Sequence, residues 1–274
     1  MERLTNYILS PSAISMVSGS SKGTQAKYYD KGYWYKTNTV GCEGTAEYLA
    51  SLVLSCSNIE DYVNYEKCTI NGKQGCRSKN FLGEDESYIS IQRLYELYVG
   101  GQITDQIYVL NDVNERIKYV VDFVKETTGL DMYDYLAKLL SFDALILNTD
   151  RHFHNIGVIC NTRTETYRFA PVFDNGNALL SNYTEFPFDI SLEENIEHVI
   201  GKPFAANLEY QAHCFGYGLK IDYKKLESRL LAEPDSRCLK VLREQMKRYE
   251  KIYKKEFKGK NDIGIPLNER TPKL

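Results

Sequence analysis

At 274 residues the chain is long enough for one large domain or two modest lobes, and it needs neither disulfides nor a structural metal to bury a core. Hydrophobic residues make up 43% and charged residues 26%, which excludes a disordered tail and a fibrous repeat. A net charge of -3 excludes a general nucleic-acid coat protein, which needs a basic surplus over a whole face. Residues 14–36 alternate and are rich in Tyr and small side chains, predicting consecutive strands joined by a glycine-containing hairpin and by a turn at Asp30-Lys-Gly32. From residue 43 to 56 the period becomes helical, with Ala46, Leu49, Ala50 and Val53 on one stripe. Strands are expected at 62–68 and 78–82 around a turn at Asn71-Gly72. Residues 1–82 thus read as a small α+β lobe.

Residues 83–274 read as a larger, mainly helical lobe. Helices are expected at 89–99, 114–127 and 132–147, the last with Leu136, Leu139, Leu140, Ala144 and Leu147 spaced for a buried face. Strands at 156–159 and 167–172 flank the polar turn Asn161-Thr-Arg-Thr164, forming a hairpin. The remainder reads as helices with loops. Residues 237–260 hold ten Lys or Arg against three acidic residues, either a solvated helix face or a docking surface for an acidic partner.

Seven cysteines without a CxxC pair signal neither a full disulfide set nor a four-cysteine zinc site, so reduced thiols are expected. No apolar run approaches the roughly 18 residues that span a bilayer. The chain reads as cytoplasmic, although unconventional secretion would leave no such trace.

The most informative stretch is Asp150-Arg-His-Phe-His-Asn155, followed by the hairpin and then Asp174-Asn-Gly176. Phosphoryl transfer needs a carboxylate to orient the attacking hydroxyl and accept its proton. It also needs an amide oxygen and a second carboxylate to hold Mg²⁺ against the nucleotide phosphates. Protein kinases place the base and the metal-binding Asn five positions apart and follow them with a hairpin and a D-x-G aspartate. Asp150, Asn155 and Asp174 share that order and spacing. A competing reading takes Asp150, His152 and His154 as ligands of a metallohydrolase zinc. In the first lobe, Ser18, Gly19, Ser20, Ser21, Lys22 and Gly23 form a loop able to present N–H groups and hydroxyls to phosphates. Lys36 ends the next strand and precedes the helix bearing Glu43 and Glu47, one turn apart, either of which can pair with it to orient the α- and β-phosphates.

With these motifs in place the chain resembles the HipA-like bacterial serine/threonine kinases, in their short, stand-alone, CtkA-like branch. The likeness is carried by Leu147-Asn-Thr-Asp-Arg-His-Phe-His-Asn-Ile156, by Ala170-Pro-Val-Phe-Asp-Asn-Gly176 with Leu179-Leu-Ser181, and by Trp34-Tyr-Lys36 with residues 43–50. It covers most of residues 18–182. The resemblance implies a two-lobed α+β protein-kinase-like fold related to lipid kinases, ATP with Mg²⁺, and transfer to protein Ser or Thr. Asp150 matches the catalytic aspartate, Asn155 and Asp174 the metal ligands, and Lys36 the nucleotide lysine. Glu43 is preferred over Glu47 as its partner, because it stands where the family places its helix glutamate before a Leu-Ala pair, here Leu49-Ala50. The adenine-contacting hinge is expected at the backbone of Phe81 and Leu82. Longer members carry an N-terminal subdomain for a DNA-binding antitoxin; the 17 residues before Ser18 leave no room for it, so nucleic-acid binding is not expected. Relatives modify their own glycine-rich loop, making Ser20 or Ser21 the expected site of autophosphorylation. The catalytic parts alone do not name the acceptor. A small-molecule or lipid kinase, or a nucleotide-binding regulator without turnover, remains an alternative.

Overall fold

Two tight turns set the register of the first sheet. Lys31 and Gly32 both have positive φ (48° and 81°), as do Asn71 and Gly72 (50° and 81°), the two-residue geometry whose twist suits antiparallel strands. The computed structural model describes residues 4–10, 13 and 27–261, from residue 253 onward by backbone alone. In chain order the first lobe comprises β1 (Asn6–Tyr7), β2 (Lys27–Asp30), β3 (Tyr33–Thr37), α1 (Glu43–Leu54), β4 (Tyr65–Ile70) and β5 (Lys73–Lys79). The sheet order is β1-β4-β5-β3-β2, antiparallel except where β1 joins β4. Strands β4 and β5 run right up to the Asn71-Gly72 turn, several residues nearer to it than the sequence suggested, because a two-residue turn forces its flanking residues to pair (Ile70 with Lys73). The expected strand at 14–17 and the glycine-rich loop at 18–23 lie outside the described residues.

Helix α1 lies directly on this sheet. A Cβ on Gly44 would stand 2.6 Å from the carbonyl carbon of Gly75, and one on Gly75 would stand 2.1 Å from the Lys36 carbonyl oxygen. The missing Cβ of Gly44 permits the approach of α1 to β5, and that of Gly75 the approach of β5 to β3, so that the second turn of α1 lies level with β3. Cys42 offers the helix no side-chain cap. Instead Asn38 Oδ1 accepts from Gly44 N at 2.8 Å.

The second lobe follows as β6 (Glu86–Ser90), α2 (Ile91–Tyr98), α3 (Ile103–Ile107), α4 (Val113–Thr128), α5 (Tyr133–Ile146), β7 (Gly157–Asn161), β8 (Thr166–Phe169), α6 (Leu192–Glu197), α7 (Leu208–Cys214), α8 (Tyr223–Leu230) and α9 (Arg237–Asn261). Capping explains the boundaries of its helices. Asp112 accepts from Asn114 N and Glu115 N at the start of α4, and Gly129 ends it in the left-handed conformation. Ser90 caps α2, so that the expected helix from residue 89 starts two residues later, and residues 86–90 instead form a strand. That strand arises from pairing with β7 some seventy residues away, in the small sheet β6-β7-β8. The expected hairpin at 156–172 is β7 and β8.

Helix α5 is the centre of one apolar core shared with α2, α4, α7, α8, α9 and the far face of α1. Helix α1 is therefore held on two sides. Glu233 accepts from Tyr48 of α1 and pairs with Lys67 of β4, both at 2.6 Å. The Cys42 and Cys238 thiols lie 2.8 Å apart, and all seven cysteines are free. Along α9, Val241, Leu242, Met246 and Tyr249 are buried, whereas Arg243, Lys247 and Arg248 face solvent. Among the described residues no helix is long and apolar enough to cross a membrane.

The glycine contact predicts that Gly44→Ala, whose Cβ would press on the Gly75 backbone, lowers stability by about 1–3 kcal/mol, the usual cost of overpacking. A lower urea midpoint with an unchanged slope is the expected result; an unchanged midpoint would show that α1 can lift off β5 freely.

Candidate active site

The site is built from two buried cations, each holding separate stretches of chain together. The first is Lys36 on β3. Its Nζ donates to Glu47 Oε1 of α1 at 2.5 Å and to Asp174 Oδ1 at 2.6 Å. Glu47 is fully buried, and its second oxygen accepts from Asn175 N at 2.8 Å, so one carboxylate ties α1 to both β3 and the segment after β8. Burial alone would pull Lys36 down, but Asp174 and Glu47 more than offset it and hold its pKa well above the ordinary lysine range. Burial pushes Glu47 up, with Lys36 opposing.

This corrects the choice of Glu43. At the first turn of α1, Glu43 folds back and accepts from Thr39 N at 3.1 Å and Val40 N at 2.9 Å, satisfying donors of the loop that leads into the helix. It is Glu47, one turn further on, that the glycine-mediated approach of α1 brings level with Lys36.

Asp174 has φ 58°, a left-handed conformation for a non-glycine residue, and its backbone N donates to Tyr65 Oη at 3.3 Å. Lys27 stands beside it, 3.8 Å from Asp174 Oδ2. Lys27 is the direct cross-strand partner of Lys36, and burial lowers its pKa.

The second cation is Arg151, completely buried. It bonds both oxygens of Asp143 on α5, Nε to Oδ2 at 2.9 Å and Nη2 to Oδ1 at 3.0 Å. The rest of the guanidinium donates to Asn175 Oδ1 at 2.6 Å, Phe173 O at 2.8 Å and Asn155 O at 3.4 Å. Both ends of the loop at 150–155 and the segment at 173–175 therefore hang on one side chain. Asp150 is partly exposed: Oδ1 meets Lys202 Nζ at 3.1 Å, and Oδ2 accepts from Asn177 Nδ2 at 3.3 Å. Asn155 is buried and donates through Nδ2 to Asp150 O at 3.1 Å. His152 lies 3.8 Å from Asp150 Oδ2, and desolvation lowers its pKa despite that neighbour.

The structure thus joins Lys36 directly to Asp174 and, through Arg151, ties the loop carrying Asp150 and Asn155 to the segment at 173–175. Phe81 packs its ring against Phe173 and Tyr88, and Leu82 O accepts from Asn80 Nδ2 at 3.2 Å. No group of three or more His, Cys, Asp or Glu converges as metal ligands among the described residues, which removes the geometric basis for the zinc reading of Asp150, His152 and His154. Sequence reasoning missed Lys27, Asp143, Arg151, Asn177 and Lys202. Of these Lys27 had a signal, since counting back from a two-residue turn at Lys31-Gly32 pairs it with Lys36.

Fold and cleft together define a two-lobed, kinase-like α+β architecture. Among solved structures it is similar to the Helicobacter pylori proinflammatory kinase CtkA, with a TM-score of 0.63 over 96% of this chain and 100% of that one, at 12% identity. The Shewanella oneidensis MR-1 toxin–antitoxin complex of HipA, HipB and operator DNA aligns with 95% of this chain and 62% of that chain, at 10% identity and a TM-score of 0.39. No protein-family profile and no curated protein matches the sequence.

Removing Arg151 would leave Asp143 as an uncompensated buried charge. Arg151→Met is expected to cost about 3–5 kcal/mol of unfolding free energy, measured by denaturant titration. A loss under 1 kcal/mol would show that the loop does not depend on this side chain.

Proposed function

We propose that this chain is an ATP-dependent protein kinase acting on serine or threonine hydroxyls. The observation that carries the reading is the convergence of Lys36, Glu47 and Asp174 at one end of the cleft with Asp150 and Asn155 at the other, through Arg151. In this reading residues 1–82 form the nucleotide-covering lobe and 83–274 the acceptor lobe. The backbone of Phe81 and Leu82 takes the adenine, and the loop of Ser18, Gly19, Ser20, Ser21, Lys22 and Gly23, outside the described residues, covers the phosphates. The serine/threonine acceptor rests on the motif resemblance.

Asn155 and Asp174 offer an amide and a carboxylate oxygen, the hard donors that suit Mg²⁺. Arg151 keeps them adjacent by bonding the carbonyls of Asn155 and Phe173 through one nitrogen. When bound, Mg²⁺ neutralises charge on the phosphates. Lys36 binds phosphate oxygens, and Glu47 fixes its ammonium in place. Asp150, with one oxygen held by Asn177, orients the acceptor hydroxyl and takes its proton. Ser20 or Ser21 is the acceptor for self-modification. A phosphate there adds about -1.5 to -2 charges where the nucleotide phosphates sit and so inhibits binding.

Incubation with γ-labelled ATP and Mg²⁺, alone and with a generic protein, should place label on serine or threonine. Asp150→Ala should lower transfer by about 10²–10⁴-fold, while calorimetry shows ATP affinity little changed. Label confined to a lipid or small molecule would favour that acceptor class, and nucleotide binding without any transfer would favour a regulator. Full turnover in the Asp150 variant would contradict the assignment of the base.

A further inference from the structure

The cleft's positive charge is concentrated away from the acceptor. Lys36 is engaged by Glu47 and Asp174, and Lys27 also stands against Asp174. Arg151 is consumed by Asp143, Asn175 and two backbone carbonyls. Among the described residues, the other groups that sense Asp150 are Lys27, which is placed against Asp174, Glu185, whose pKa burial raises and which senses both Asp150 and Lys202, and His152, whose pKa desolvation lowers. A phosphoryl group arriving there meets carboxylates, and it needs a cation.

Lys202 is that cation. It lies 52 residues from Asp150 in sequence, in the segment between α6 and α7. The backbone around it is pinned to the helical lobe. Gln211 Nε2 of α7 donates to Lys202 O at 2.9 Å, Tyr108 Oη to Pro203 O at 3.2 Å, and Arg116 of α4 to Phe204 O at 2.8 Å. Gly201 N donates to Ala206 O at 2.6 Å, closing the loop on itself. The side chain leaves this fixed base and reaches the cleft, 47% exposed, with Nζ 3.1 Å from Asp150 Oδ1. An ion pair this open contributes little to folding, so anchored backbone and half-open ammonium together suit a group that works on a ligand.

We propose that Lys202 is a catalytic residue that neutralises the transferring phosphoryl group at the acceptor side while remaining beside Asp150. This rests on the kinase reading above. In the step, the bond between the γ-phosphorus and the β–γ bridging oxygen of ATP breaks and ADP leaves with that electron pair. The bond from the γ-phosphorus to the acceptor oxygen forms, and the acceptor proton passes to Asp150. Lys202 stays protonated, its charge facing the equatorial oxygens, which carry the most charge in the transition state. Its contribution should therefore appear in kcat and not in ground-state ATP binding.

The test compares full-length wild type, Lys202→Met and Lys202→Arg with γ-labelled ATP, Mg²⁺ and a protein acceptor. It adds calorimetric ATP titration and thermal melting of each. For Lys202→Met a fall in kcat of about 10²-fold is expected, with ATP affinity within about 2-fold and an almost unchanged melting temperature. Lys202→Arg, which keeps the charge, should recover at least a tenth of wild-type kcat. Wild-type turnover in the Met variant, a loss that follows ATP affinity or melting, or an Arg variant no better than Met overturns the proposal while the kinase reading stands. A wild type that binds ATP and transfers nothing overturns both.

Discussion

A single ammonium group, Lys36 Nζ, sits between two carboxylates from different parts of the chain, and the candidate site depends on that placement. Glu47 comes from α1 and Asp174 from the segment after β8, so the Lys36 contacts fix the first sheet, its helix and the second lobe relative to one another. Buried charges impose this arrangement stringently, because a partner that drifts away leaves a charge without water or counterion. Glu47 strengthens the link by also accepting from Asn175 N. The geometry is available because α1 meets β5 through Gly44 and Gly75, which lets a glutamate on its second turn reach β3.

Arg151 does for the loop at 150–155 what Lys36 does for β3 and α1. Its bidentate pair with Asp143 anchors the loop to α5, at the centre of the apolar core, and its other donors hold the carbonyls of Asn155 and Phe173. The two anchors meet at Asn175, whose backbone N serves Glu47 and whose Oδ1 serves Arg151. Two buried cations thus hold these segments together, while Asp150 stays partly exposed with Lys202 beside it.

How much of this was legible in the sequence follows from how local each cause is. The hairpin turns at Lys31-Gly32 and Asn71-Gly72, the caps of α4 and the apolar face of α5 are written in neighbouring residues, and so are the spacings of Asp150, Asn155 and Asp174. Strand β6 was misread at its helix-like end because its partner β7 lies far along the chain. The choice between Glu43 and Glu47 failed for a related reason. Family spacing pointed to Glu43, but that carboxylate is occupied by the loop at Thr39 and Val40, and only the tertiary approach of α1 selects Glu47. The helix period marks neither as the partner, since Glu43 and Glu47 stand one turn apart beside the stripe of Ala46, Leu49, Ala50 and Val53. Arg151 and Lys202 carried no mark either, since their roles exist only once distant segments are folded together.

The central claim is that Glu47, and not Glu43, holds Lys36, the lysine proposed to bind phosphate. Calorimetric titration of Mg²⁺–ATP into Glu47→Gln and Glu43→Gln, beside wild type, tests it directly. The account predicts affinity about tenfold or more weaker for Glu47→Gln, equivalent to roughly 1.4 kcal/mol or more, and nearly unchanged for Glu43→Gln. Weaker binding in Glu43→Gln with wild-type affinity in Glu47→Gln would contradict it.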